Sequence, residues 1–328
     1  MTVPIVTIFG GSGFIGRQVA QRMARAGWRV RVAVRRPNEA NFVRPYGVVG
    51  QVEPIQANIR DEASTRAAIA GAAAVVNCVG IMAEGGRQTF AAVVNEGAAR
   101  IARISAEEGV ARLVHISAIG AERESDSRYA AAKGHGEEAV RGAFPGAVIL
   151  RPSVVFGPDD SFFNRFAAMA RATPVLPVVG PDTRFQPVYV NDVAEAVVTA
   201  VTTDAAAGIY ELGGPEVATF RDLMRRMLGI IQRRRLVVAL PFWLAGIMAW
   251  FLDFGPRLTR GLVTNGILSR DQVRLLSRDT VVAPGARGLA DLGVTATAMD
   301  AILETYLYAY RPHGQFDAIT DSAKNLRA

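Results

Sequence analysis

Tyr129 and Lys133 stand four residues apart in YAAAK, inside a stretch with helical composition, YAAAKGHGEEAVRGAF. On a helix that spacing puts a phenol and an ammonium on one face. A lysine beside a tyrosine lowers the phenol's pKa, and the pair then suits proton transfer to a carbonyl or from an alcohol. Y-x-x-x-K alone recurs by chance. Here it follows a β-branched run ending HISAIG and precedes another, GAVILRPSVVFG, so the two runs would fix its place in a sheet.

A second constellation lies at the start of the chain. Gly10, Gly13 and Gly16, with Gly11 added, fall between the apolar run IVTIFG and the helical pattern SGFIGRQVAQRMARAG; Ser12, Phe14 and Ile15 complete the loop. Glycines at this spacing turn tightly, bring backbone N–H groups to a diphosphate and let a helix pack close to its strand. The helix N-terminus then faces the anion with unpaired donors and a favourable dipole. The loop reads as a dinucleotide site rather than as a turn used only for packing. The next run, WRVRVAV, ends in Arg35 and Arg36, where a carboxylate would hold the ribose 2′-hydroxyl of NAD. Guanidinium groups fork onto phosphate oxygens, so Arg35, Arg36 and Arg17 select NADP(H) with its 2′-phosphate. The plainer alternative is surface arginine in an arginine-rich chain.

The elements that must position these residues alternate. Strand-like runs IVTIFG, WRVRVAV, PIQANI, AAVVNCVG, ARLVHISAIG and GAVILRPSVVFG are separated by helical stretches, among them FAAVVNEGAARIARISAEEG. That order implies βαβ units, hence an α/β fold of the Rossmann type: a doubly wound parallel sheet covered on both faces. Residues 1–158 form the nucleotide domain, its sheet completed by parts of 180–215 (RFQPVYVND, GIYELGG). Residues 159–328 form a smaller, mostly helical C-terminal region for substrate or docking. One cysteine, Cys78, excludes an intrachain disulfide and a multi-cysteine metal site, and three scattered histidines argue against a histidine cluster. A net charge of +7 favours an anionic partner, but no zinc-finger or RNA-binding pattern points to nucleic acid. The first strand begins too early for a signal peptide, so none is expected.

One run breaks the pattern. No residue from Leu236 to Leu252 is charged, and three arginines precede it. It is short for a bilayer span, Pro241 interrupts it and Asp253 closes it, so a transmembrane helix is disfavoured. What remains is either a buried helix or one that docks on a partner or on the membrane interface.

Taken together, FGGSGFIG, VVNCVG, YAAAK, LRPSVVFGP and PVYVNDVAEAV resemble the extended or atypical branch of the short-chain dehydrogenase/reductase superfamily over most of the chain. Over SRYAAAKGHGEEAVRGAFPGAVILRPSVVFGPDDSFFNRFAAMA and RFQPVYVNDVAEAV the chain is similar to the family of NADPH-binding accessory subunits of respiratory complex I. The resemblance implies that Tyr129 is the acid/base and that Lys133 holds the nicotinamide ribose. It puts Asn58 and Ile59 near the adenine, Cys78, Val79 and Gly80 along the cofactor, and Pro152 and Ser153 by the nicotinamide amide. Active members carry a hydroxyl after the fifth strand that shares the reacting oxygen with the tyrosine. Either Ser117 supplies it, or the position falls on Ala118 and Ser117 is vestigial, a loss of ~10²–10³ in rate. The family implies structurally held NADPH in an accessory or assembly subunit, among complex I subunits near the quinone site. It would sit peripherally on the cytoplasmic or matrix side of the inner membrane, touching it through 236–252. The alternative is an NADP(H)-dependent reductase or epimerase acting on a small carbonyl such as a quinone- or isoprenoid-pathway compound.

Overall fold

Runs of Val and Ile with few polar interruptions bury both faces, which suits a parallel sheet covered by helices. The computed structural model describes residues 3–258, 269–312 and 314. Its first six strands are β1 (Ile5–Phe9), β2 (Arg29–Val34), β3 (Val52–Gln56), β4 (Ala74–Asn77), β5 (Arg112–Ile116) and β6 (Val148–Pro152). Short strands follow: β7 (Val155–Phe156), β8 (Val175–Val179), β9 (Arg184–Phe185) and β10 (Val188–Tyr189). Then β11 (Gly208–Leu212) rejoins the main sheet, ahead of β12 (Ala218–Thr219) and β13 (Leu236–Leu240). The main sheet is parallel throughout, in the order β11-β6-β5-β4-β1-β2-β3. The order of the strands reverses across the sheet between β1 and β4, the switch point where such folds form a crevice at the strands' carboxyl ends.

Helix α1 (Phe14–Arg25) covers one face, while α2 (Glu62–Ile69), α3 (Glu96–Glu107) and α4 (Arg128–Ala143) cover the other. Beyond α5 (Phe163–Ala172), α6 (Val190–Thr202) packs beside α1 on the first face. A separate, largely aromatic core joins α5, α7 (Phe220–Ile230) and β9 through Phe163, Phe185, Phe220 and Met224. The expected helix over 90–109 opens instead with a π-helical turn at Ala91–Asn95. A Cβ on Gly136 would lie 2.7 Å from the Val94 carbonyl oxygen, so α4 presses against that turn.

The apolar run 236–252 is not one helix. Pro241 divides it into β13, which pairs in parallel with β8, and α8 (Phe242–Leu258). Proline has no N–H for a ladder, but it starts a helix well, and its carbonyl accepts from Ala245 N at 3.0 Å. Ala245 and Ala249 are buried, whereas Phe242, Trp243, Ile247 and Met248 are exposed, Trp243 at 68%. No helix among the described residues is long and apolar enough to cross a membrane. Two further helices, α9 (Arg270–Leu275) and α10 (Met299–Leu307), close the described chain. His313 lies outside the described residues.

The sheet edge that carries β11 holds a buried ionic group. Arg151 on β6 donates to both oxygens of Glu137 on α4, at 2.9 and 2.7 Å, and to Glu211 on β11 at 3.4 Å. Replacing the arginine leaves two carboxylates in a site with little water. Arg151→Met is expected to lose about 3–5 kcal/mol, read as a lowered midpoint in urea unfolding with an unchanged slope.

Candidate functional site

The glycine loop turns between β1 and α1 with Gly10 at φ +72°, a conformation that side-chain-bearing residues rarely adopt. Gly10 N donates to Ala33 O of β2, and Gly13 N donates to Gly10 O at 2.9 Å. A Cβ at Gly16 would overlap the Gly10 carbonyl oxygen and lie 2.7 Å from Gly11 Cα. A Cβ at Gly10 would meet the Cys78–Val79 backbone at 3.2 Å. The loop therefore lies flat against the ends of both β1 and β4. No side chain caps α1 at Gly13, and its first turn carries no acidic residue. A cradle without side chains at an uncapped, acid-free helix start fits a diphosphate. Phe14, whose ring lies 3.5 Å from where a Gly157 Cβ would stand, walls the crevice on the β7 side.

The arginines divide. Arg35, past the end of β2, is exposed and makes no ion pair among the described residues. Arg36 is held by Glu39 at 3.0 Å. Arg17 bonds Asp159 at 2.9 Å and lies over the Phe42 ring, so an incoming phosphate would have to displace that carboxylate. Asn58 sits in a turn where its side-chain oxygen accepts from Arg60 N, and Ile59 is buried against Gly97.

Lys133 is buried, and its Nζ donates to Ile116 O at 2.9 Å. A Cβ on Gly80 would come 4.0 Å from that ammonium, which connects the end of β4 to α4. Burial lowers the Lys133 pKa to about 8 against the pull of Glu137. Tyr129 is half-buried, edge-on to Phe90 with centroids 5.8 Å apart. The expected lowering of its phenol is absent, since burial pushes it up to about 12. The ammonium sits 6.0 Å from the ring centroid and is committed to a carbonyl. Ser117 is buried, and its hydroxyl has no partner, while Ala118 beside it is half-exposed. Pro152 is buried at the end of β6. Ser153 is already engaged: its hydroxyl donates to Thr280 O at 2.7 Å and its N–H to Leu212 O. Burial pushes the Cys78 thiol up to about 12.

Behind Lys133 lies a pair that the spacing of the sequence did not bring out. Val79 N donates to Asn77 Oδ1 at 3.1 Å, which turns Asn77 Nδ2 toward His115 Nδ1, also at 3.1 Å. His115 must accept there, so its proton resides on Nε2, which is buried without a partner. Burial and the Lys133 charge lower its pKa to about 3. The facing positions of Asn77 and His115 on β4 and β5 were the only signal for the pair. A second residue missed was Asp271 on α9, which accepts from Ser127 Oγ and from the backbone of Arg128 and Tyr129.

The diphosphate cradle, the Tyr129–Lys133 face and the strand order define an α/β chain with a nicotinamide-nucleotide crevice. The chain belongs to the NAD dependent epimerase/dehydratase family, whose model matches residues 6–213. It is 34% identical over 326 residues to the mitochondrial NADH dehydrogenase [ubiquinone] 1 alpha subcomplex subunit 9 of Arabidopsis thaliana, covering 98% of this chain and 81% of that one. It is also 31% identical over 239 residues to the ceramide reductase of Caulobacter vibrioides, covering 72% and 74%. Among solved structures, UDP-glucose 4-epimerase from Thermotoga maritima superposes with a TM-score of 0.68 at 17% identity, covering 92% and 97%.

Two outcomes are expected. Gly16→Ala must push α1 from the loop, and overpacking of this kind costs about 1–3 kcal/mol. Nicotinamide-dinucleotide affinity, followed by fluorescence titration, should fall roughly ten- to hundredfold. Separately, the folded protein keeps His115 neutral between pH 6.5 and about 3, where the unfolded chain binds a proton. Its contribution is therefore present above pH 6.5 and lost as pH falls through that window. His115→Asn keeps an acceptor without titrating, so unfolding free energies measured across the window should fall less steeply in the variant.

Proposed function

We propose that this chain holds NADPH structurally and serves as an accessory or assembly subunit of a respiratory NADH:ubiquinone oxidoreductase. The observation that carries the reading is α8: one apolar helix presents Phe242, Trp243, Ile247 and Met248 together to solvent. An enzyme acting on a small soluble compound has no use for that face, whereas a subunit that docks has one. The chain-long likeness to complex I subunits supports the same reading. Arginines gather ahead of β13: Arg171, Arg233, Arg235 and Arg311 lie around Tyr310 and the ends of α5 and α7, bonded to carbonyls or stacked on the ring. Positive charge at the start of the apolar run suits a place among subunits near the quinone site, with peripheral contact to an anionic membrane surface through 236–252. That surface would be on the cytoplasmic or matrix side of the inner membrane. On this reading the nucleotide lies in 1–158, with the sheet completed by parts of 180–215, and docking falls to 159–328.

Within the crevice, the loop Gly10–Gly16 would take the diphosphate and Arg35 the 2′-phosphate. Cys78–Gly80 would line the path to Lys133. The group, when bound, supplies hydride chemistry. This chain's residues bind it, exclude water around Lys133 and hold a phenol proton at Tyr129. A second reading, an NADP(H)-dependent reductase or epimerase on a carbonyl compound, is favoured by the intact Tyr129–Lys133 pair and by the similarity to a ceramide reductase.

Protein purified without added nucleotide should carry NADPH, and it should co-precipitate with complex I subunits from its own cells. Arg35→Ala should weaken NADPH about tenfold, the scale of one charge-assisted phosphate contact, and leave NADH unaffected. Tyr129→Phe should leave respiration intact; loss of a cellular activity in that variant, with nucleotide still bound, favours the enzyme.

A further inference from the structure

The C-terminal segment 269–280 touches the inner crevice at two points. Asp271 Oδ1 accepts from Arg128 N at 2.7 Å, and Oδ2 accepts from Tyr129 N and Ser127 Oγ, both at 3.1 Å. These are the first backbone donors of the helix that carries Tyr129 and Lys133, satisfied by a side chain 142 positions away. Arg274 donates to Asp126 O at 2.8 Å, and Arg278 pairs with Asp126 at 2.9 Å, fixing the loop before α4. At the far end of the segment, the Thr280 carbonyl takes the hydroxyl of Ser153.

The outer side of the same segment rests on the docking helix. Val273 of α9 packs with Ala245 and Ala249, buried residues of α8, and with Val179 of β8. Leu276 O accepts from Thr183 Oγ1 at 2.6 Å, so the segment is anchored to the C-terminal region as well. The short helix is capped by its own Ser269–Gln272 box and bonded on both sides, which braces it as a unit.

We infer that segment 269–280 is a strap joining the apolar docking helix α8 to the nicotinamide end of the crevice, with Asp271 as the positioning residue for Tyr129. The inference rests on the nucleotide-binding part of the proposed function. It adds a route between partner and nucleotide: a ligand that orders Tyr129 also orders the strap beneath α8, and by linkage the reverse holds.

The test separates the two halves of the nucleotide. Adenosine 2′,5′-bisphosphate would occupy only the Arg35 end, whereas NADPH would also reach Tyr129. In the full chain, Asp271→Asn keeps one acceptor oxygen and loses the other. It should bind the bisphosphate like the parent and NADPH about tenfold more weakly. Asp271→Glu, which retains the carboxylate, should recover most of that loss. Equal weakening of both ligands, or no change in NADPH, overturns the assignment of Asp271. If the parent chain itself fails to bind the bisphosphate, the nucleotide reading has failed instead. Hydrogen exchange on the unaltered protein needs no variant: NADPH should slow exchange in 269–280 as well as at Arg128 and Tyr129. Exchange in the strap that ignores NADPH refutes the route.

Discussion

Helix α1 reaches the end of β1 only because position 16 carries no Cβ; an added methyl would overlap the Gly10 carbonyl oxygen. Everything at the crevice follows from that approach. It keeps the start of α1 at the ends of β1 and β4 and holds the loop against Cys78 and Val79. It also sets the distance from the cradle to the end of β2, where Arg35 stands. A parallel sheet gathers all its strand ends on one side, so residues far apart in sequence meet there without special contacts.

Much of this was legible beforehand because it depends on local rules. β-branched runs bury both faces, glycines mark close approach, and Y-x-x-x-K falls on one helix face. What escaped had non-local causes. Pro241 looked like an interruption within one apolar helix, yet it is the junction of a strand and a helix, since Leu236–Leu240 finds an unpaired partner in β8. The phenol of Tyr129 was expected to be acidified by Lys133. In the fold, the ammonium turns to the Ile116 carbonyl, and burial raises the phenol instead. Asp271 lies in a polar, unremarkable stretch, and nothing near it in sequence shows that it ends at the start of α4.

The site combines features of a catalyst and of a scaffold. Tyr129, Lys133 and the unpartnered Ser117 hydroxyl are what acid/base work would use. The engaged Ser153, and the half-exposed Ala118 next to Ser117, lean toward holding a nucleotide in place. Two ionic devices brace this arrangement from different sides. The Glu137–Arg151–Glu211 group locks α4 to the sheet, and the strap through Asp271 locks the other end of α4 to the C-terminal region.

The state of Cys78 has a chemical consequence. A thiol pushed up to about 12 is almost wholly protonated in a cell, and only the thiolate reacts readily with peroxide, electrophiles or another disulfide. The chain's sole sulfhydryl, whose backbone lies against the glycine loop, is thereby passivated. Modification of that sulfur by neutral-pH alkylating reagents should accordingly wait on unfolding.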